Sequence, residues 1–303
     1  MSTINSLSFY STQSPFSDPG EFGYLYQDFP DSIEQLCEIV HGLIVNPCDT
    51  EKLYGFSITD EQYTNEVNLH NIKDILEKIV SDNPSPLTVS RVPEKRLAGL
   101  CRHFALLLVS ILRYKGIPAR VRCGFETYYK EGVPLDHWVA EYWDKEQKAW
   151  QLVDPEIGDE EIKASNMIAT LINIPEGEYL TAGEVWQLCR TGKADPDQFQ
   201  APVPGVKGWW FIRANVLKDF YALNKIELVP WDYTEFADKQ FGNLSELNSE
   251  EIELFDCLAE ITSEKENINF TQLRNLYLND PKLQVGKEVS SYLSDKTTTT
   301  LLK

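Results

Sequence analysis

Cys101, His137 and Asp154 are the residues of this chain whose types and contexts combine into acyl-transfer chemistry. A cysteine attacks a carbonyl as its thiolate, and it needs a base beside it and a group that holds the base. Cys101 is predicted in the first turn of a helix. There, unpaired backbone N–H groups and the helix dipole favour a thiolate and can donate to a developing oxyanion. His137 opens a predicted strand and Asp154 ends the next one. A polar turn at 144–147 pairs Trp143 with Lys148 and sets His137 directly opposite Asp154, with Cβ atoms roughly 4.5–5.5 Å apart. A carboxylate so placed holds one imidazole nitrogen and leaves the other to face a thiol. Taken singly, the three read as a core cysteine, a strand-end histidine and a turn-forming Asp-Pro; the register is what joins them. Arg102, Asp136 and Trp138 flank the triad and are candidate substrate-binding residues.

The elements that must position these groups can be read from periodicity. Leu100 to Lys115 is apolar on nearly every face and ends at Gly116 and Pro118, which predicts a central buried helix. Ala119–Phe125, His137–Trp143 and Lys148–Asp154 are predicted strands. A helix followed by an antiparallel sheet is an α+β plan. Upstream, helices are predicted over Ile33–Leu43 and about 66–80, with a break at Asn83-Pro84. Downstream, Glu184–Arg190, Trp209–Asn224, Leu247–Ser263 and Phe270–Leu278 read as helices. The division expected is an irregular arm at 1–30, a catalytic core at 31–165, a helical extension packed on it at 166–283 and a polar, frayed tail at 284–303. Within Trp209–Asn224 a wide apolar face includes Arg213. A buried guanidinium there needs an acid such as Asp219 or Asp232, or it reaches a cleft and clamps a substrate carboxylate.

Gly99-Leu-Cys-Arg-His-Phe-Ala105, Leu112-Arg-Tyr-Lys-Gly-Ile-Pro-Ala-Arg120, Asp136-His-Trp-Val-Ala-Glu-Tyr-Trp143 and Trp150-Gln-Leu-Val-Asp-Pro155 together resemble the core of the transglutaminase-like superfamily. The resemblance spans residues 88–160, about a quarter of the chain. It implies a papain-like fold with a Cys–His–Asp triad falling on Cys101, His137 and Asp154. The stretch from Gly208 to Asp232 is similar to bacterial members of that superfamily with no defined substrate. The chain has no room for the β-sandwich and barrel domains of animal transglutaminases. An upstream Trp that completes the oxyanion site in some members is missing, since the first Trp is Trp138; Gln62 or Asn68 could substitute.

Composition narrows the classes. With 28 basic and 47 acidic side chains the formal charge is -19, a field that repels phosphate backbones and anionic membranes, so neither nucleic acid nor membrane is an expected partner. The six cysteines are sparse for a disulfide scaffold, and no amino-terminal secretory pattern is present, which points to the cytoplasm. No nucleotide-phosphate loop and no calcium loop occurs, so no cofactor and no metal is expected. Cys37 and His41 lie one helical turn apart but lack further ligands nearby in sequence. His103 follows Cys101 by two residues, which on a helix turns it away from the thiol. The expected function is cysteine-dependent acyl transfer at an amide through a thioester, with water or an amine as acceptor. The substrate would be an amide-bearing peptide, protein or small molecule. The alternatives are a cysteine protease or peptidase, an amide-forming biosynthetic enzyme, and a non-catalytic interaction module.

Overall fold

A computed structural model describes residues 6–129, 132–165, 174–238, 247–264, 268–293 and 298–301. Its helices are α1 (Ser6–Tyr10), α2 (Ile33–His41), α3 (Asp60–Val67), α4 (Ile72–Asp82), α5 (Cys101–Tyr114), α6 (Asp159–Ser165), α7 (Ala182–Arg190), α8 (Trp209–Leu223), α9 (Glu235–Asp238), α10 (Ser249–Ser263) and α11 (Phe270–Asn279). Its strands are β1 (Ile44–Val45), β2 (Leu97–Ala98), β3 (Ala119–Glu126), β4 (Leu135–Asp144), β5 (Ala149–Val153), β6 (Tyr179–Thr181), β7 (Asp232–Tyr233), β8 (Glu288–Ser291) and β9 (Thr298–Leu301). The fold is α+β, with a papain-like central helix and a four-stranded sheet of order β5-β4-β3-β6. No helix among the described residues is long and apolar enough to cross a membrane.

Residues 1–121 and 138–174 form one compact unit. Its centre is α5, in which every residue from Arg102 to Arg113 is buried, as an all-round apolar sequence requires. Upstream, the single helix expected at 66–80 is two helices. Thr59 caps α3 and Asn71 caps α4, its Oδ1 accepting from the Asp74 N–H at 2.9 Å. The Asn68–Asn71 stretch therefore ends one helix and starts another. The arm is more ordered than its composition suggests: it forms α1 and a 3₁₀ turn at Gly20–Tyr26, and buries Tyr10, Phe16, Tyr26 and Phe29. Tyr10 packs edge-on against Trp150 at 5.6 Å. The Arg120 guanidinium stands over both rings, 5.3 Å from the Tyr10 centre and 3.9 Å from the Trp150 centre, and is ion-paired with Glu141.

The β4–β5 hairpin differs from the sequence expectation by one turn position. Its pairs are Ala140↔Val153, Tyr142↔Gln151, Trp143↔Trp150 and Asp144↔Ala149. Asp144 stays in the strand, and its Oδ1 accepts from the N–H groups of Glu146 and Gln147 at 2.7 and 3.0 Å. Lys148 closes the loop in the left-handed region at φ 55°. The turn thus occupies 145–148, and every partner moves by two residues.

The second unit comprises residues 122–137 and 175–303. Residues 166–173, where the helical extension is expected to begin, lie outside the described residues. In this unit α8 is buried from Phe211 to Leu223 on all sides, not on one wide face. Among the polar groups it carries inward, Asp219 accepts from Arg122 Nε and Nη2 at 3.0 and 2.9 Å, both side chains fully buried. The expected frayed tail is instead strand-bearing: β8 pairs with β7 and with β9, because a polar segment with β-branched residues still suits a sheet.

Candidate active site

Cys101 owes its position to a strand–turn–helix junction. Strands β1 and β2 run parallel, pairing Ile44 with Leu97 and Val45 with Ala98. The Ala98 N–H donates to the buried Glu66 carboxylate at 2.6 Å, and the Gly99 N–H to the Val45 carbonyl at 3.0 Å. A Cβ on Gly99 would stand 2.7 Å from Ile44 Cγ2 and 3.0 Å from His103 Cβ, so only glycine lets α5 start this close to β1. Cys101 is the first residue of α5, half-buried, and Leu100 at the N-cap offers no side-chain acceptor. The helix end therefore keeps the donor character that favours an anion.

His103 serves this junction. It is fully buried, and its Nδ1 accepts from the Leu100 N–H at 3.2 Å. Burial, with the Arg102 charge nearby, pushes its pKa down to about 3. The ring is neutral with its acceptor nitrogen already engaged, which does not suit it to serve Cys101 as a base.

His137 lies in β4 and is 8% exposed. The Tyr179 hydroxyl donates to its carbonyl at 3.2 Å, and the Tyr128 ring meets the imidazole edge-on at 6.1 Å. Tyr179 reaches this point because Gly124 opposes β6: a Cβ there would stand 2.2 Å from the Leu180 carbonyl oxygen. Asp154 follows β5, is 2% exposed, and accepts the Glu156 N–H on Oδ1 at 3.0 Å.

Cys101, Asp154 and Glu156 belong to the first unit, and His137 ends the 122–137 segment of the second. The observed pair Ala140↔Val153 shifts the register by two residues from the one that set His137 opposite Asp154. The Asn46 amide donates to Glu156 Oε1 at 2.5 Å, and Asn46 Oδ1 in turn accepts the Cys48 N–H at 2.9 Å, which fixes how the amide is turned. Sequence reasoning missed the register; its signal was available in the position of the turn.

The other sequence candidates are placed as follows. Arg102 is fully buried and donates to the His70 carbonyl at 2.5 Å. Asp136 accepts from the Asn215 amide at 2.8 Å, and withdrawal from water pushes its pKa up to about 6 against the pull of Lys218, His137 and that hydrogen bond. Trp138 is fully buried, its indole N–H without a hydrogen-bond partner among the described residues. The Gln62 amide donates to Glu66 at 3.3 Å. Arg213, 1% exposed, borders a cavity of about 590 Å³ with Thr234, Glu235, Glu251 and Lys282, whose lining includes none of Cys101, His137 and Asp154. The carboxylate of Asp219, one of its two anticipated partners, is held by Arg122.

A cysteine at the start of a buried central helix, followed in the chain by antiparallel strands, is the arrangement of papain-like cysteine enzymes. Residues 59–155, close to a third of the chain, match the model of the transglutaminase-like superfamily. No curated protein matches the chain. A solved structure of a cysteine protease candidate from Cytophaga hutchinsonii is similar at 15% identity and a TM-score of 0.33, over 51% of this chain and 43% of that one. The chain thus spans less than half the length of that protein.

Proposed function

We propose that the chain catalyses acyl transfer at an amide through a thioester on Cys101. The observation that carries this reading is the half-buried Cys101 thiol at the N-terminus of the buried helix α5. The thiolate attacks the amide carbonyl, and first-turn N–H groups of α5 stabilise the oxyanion. His137 protonates the departing amine, leaving an acyl-thioester. It then takes a proton from water or an incoming amine, which attacks the thioester and releases the thiol. Asp154, whose carboxylate is fixed by the Glu156 N–H, orients the imidazole, as the motif resemblance implies. With water the outcome is a peptidase, protease or deamidase; with an amine it is a transglutaminase or amide-forming enzyme. The superfamily favours a peptide or protein substrate. Six cysteines in a chain of 303 residues are sparse for a disulfide scaffold, which favours a reducing, cytoplasmic setting.

The test is incubation with a peptide-amide library, with and without added primary amines, read by mass spectrometry. Ammonia loss or cleavage without amine supports a hydrolase, and a mass gain that requires amine supports a transferase. An unchanged library, with no acyl adduct trapped on Cys101, overturns the reading in favour of a non-catalytic module.

A further inference from the structure

The second unit carries a carboxylate of its own beside His137. Asp136 precedes His137 in β4, and Tyr179, Gln200, Asn215 and Lys218 belong to the same unit. We propose that Asp136 is a positioning residue for His137: clamped by Asn215 and Gln200, it fixes the start of β4 and supplies a negative charge that favours the imidazolium. The inference rests on the acyl-transfer reading for the use made of that imidazolium; the coupling of the two side chains stands without it.

The start of β4 is held from three sides. The Asp136 N–H donates to the Gln200 carbonyl at 2.9 Å, and Leu135 bridges Gln200 in parallel. From the middle of α8 the Asn215 amide donates to Asp136 Oδ1 at 2.8 Å. From β6 the Tyr179 hydroxyl donates to the His137 carbonyl at 3.2 Å. Asparagine is a poor residue for a helix interior, because its side chain competes for backbone hydrogen bonds. Asn215 is also fully buried, and its Oδ1 has no hydrogen-bond partner among the described residues. A buried amide whose acceptor is unmet costs stability. What this one secures is the orientation of the Asp136 carboxylate.

The charge is placed to act on the imidazole. Neighbouring residues of a strand point to opposite faces, so the carboxylate works through space rather than through a hydrogen bond to the ring. Lys218, one turn from Asn215 on α8, faces the same carboxylate. Its Nζ is bound instead to the Pro230 carbonyl and stands 4.1 Å from the Tyr233 ring centre, so the Asp136 charge is not spent in a direct ion pair. Among the described residues, His137 from β4 and the Tyr179 phenol from β6 are the other titratable groups that face Asp136. Withdrawal from water holds the Asp136 pKa at about 6, so its charge is present above that pH and fades below it. An imidazolium facing a carboxylate gives up its proton at higher pH than one without such a neighbour. Kept protonated near neutral pH, His137 is ready to donate to a departing amine.

The experiment follows the ring resonances of the four histidines of the full chain by nuclear magnetic resonance. The titration runs from about pH 5 to about pH 9, and His137→Gln assigns the His137 signal. Asp136→Asn should lower the His137 pKa by about half a unit or more and move the other three histidines less. In turnover, the alkaline limb of the kcat/KM profile should move to lower pH by the same amount. A merely structural Asp136 would lower turnover equally at every pH, or lower the melting temperature, with the His137 titration unmoved; that result overturns the proposal. Asn215→Ala is the second variant, should Asp136→Asn fail to fold. Loss of the amide donor makes Asp136 harder to ionise, so His137 should shift the same way by less, and an unmoved His137 counts against the coupling. A shifted His137 in a chain that turns over no amide leaves the coupling standing and removes the acyl-transfer reading. Turnover whose limbs do not move, with His137 unshifted, does the reverse.

Discussion

Cys101 is the one cysteine of the six that begins a helix, and that placement sets the first expected outcome. Burial raises the thiol pKa of Cys37, Cys48, Cys189 and Cys257, that of Cys189 to about 12. Iodoacetamide near neutral pH should therefore alkylate Cys101 fastest. Cys48 is the informative control, since it is exposed yet shares its surroundings with Asp49 and Glu156. Labelling of Cys48 ahead of Cys101 would remove the nucleophile assignment. The carboxylates are separated by a paired experiment. Asp154→Asn should lower turnover on the order of 10³–10⁴, the effect of losing a group that fixes the histidine tautomer, and Glu156→Gln should cost far less. Equal losses would transfer the orienting role to Glu156. At this scale the sequence disclosed the reactive types because helix starts and strand ends have local signatures. It did not disclose the hairpin register, which one turn residue decides.

Helix α5 was the most legible element: its apolar composition demanded burial, and Gly116, at φ 74°, and Pro118 marked its end. The strands were legible to within a residue or two for the same local reasons. What failed were boundaries set by side-chain hydrogen bonds. Asn71 starts a new helix inside a continuous apolar pattern, and Asp144 caps its own turn and so delays the hairpin. Helix α8 was misread in a different way, since polar residues inside a buried helix look like an exposed face until their partners are known. Asp219 is such a residue: it accepts from Arg122 and from the Cys123 N–H at 2.9 Å, holding β3 to α8. Asp219→Ala strands a buried guanidinium and should destabilise the fold by about 3–5 kcal/mol, read from the urea midpoint. A loss under about 1 kcal/mol would mean that the pair behaves as an exposed one. Gly99→Ala tests the junction that carries the nucleophile. The added methyl meets Ile44 and His103, so stability should fall by about 1–3 kcal/mol, and Cys101 alkylation should slow with it. Stability loss with unaltered thiol reactivity would separate the junction from the thiol.

At the scale of the whole molecule, two buried groups among the described residues contribute opposing slopes to the acid response. The unfolded chain protonates His103 near its ordinary value of about 6.5, whereas the folded chain keeps it neutral down to about 3. Over that window the folded state binds fewer protons, so stability falls as pH drops, by up to about 1.4 kcal/mol per unit. Asp136 runs the opposite way. Its folded pKa is about 6 against an ordinary 3.8, so between those values the folded state holds the extra proton and stability rises as pH falls. The two slopes offset each other from about pH 6 to pH 4. Asp136→Asn removes the second slope and keeps an oxygen to accept from Asn215. Relative to the parent, the variant should be more stable at neutral pH, where the parent buries an ionised carboxylate, and should lose that advantage steadily on acidification. Measuring both proteins side by side cancels the contribution of the remaining surface charge, which is large in a chain of net charge -19. Urea midpoints taken in steps from about pH 8 to pH 4 give the two slopes directly. Parallel curves would mean that Asp136 titrates at its ordinary value, and that His103 alone sets the acid limit among these two groups.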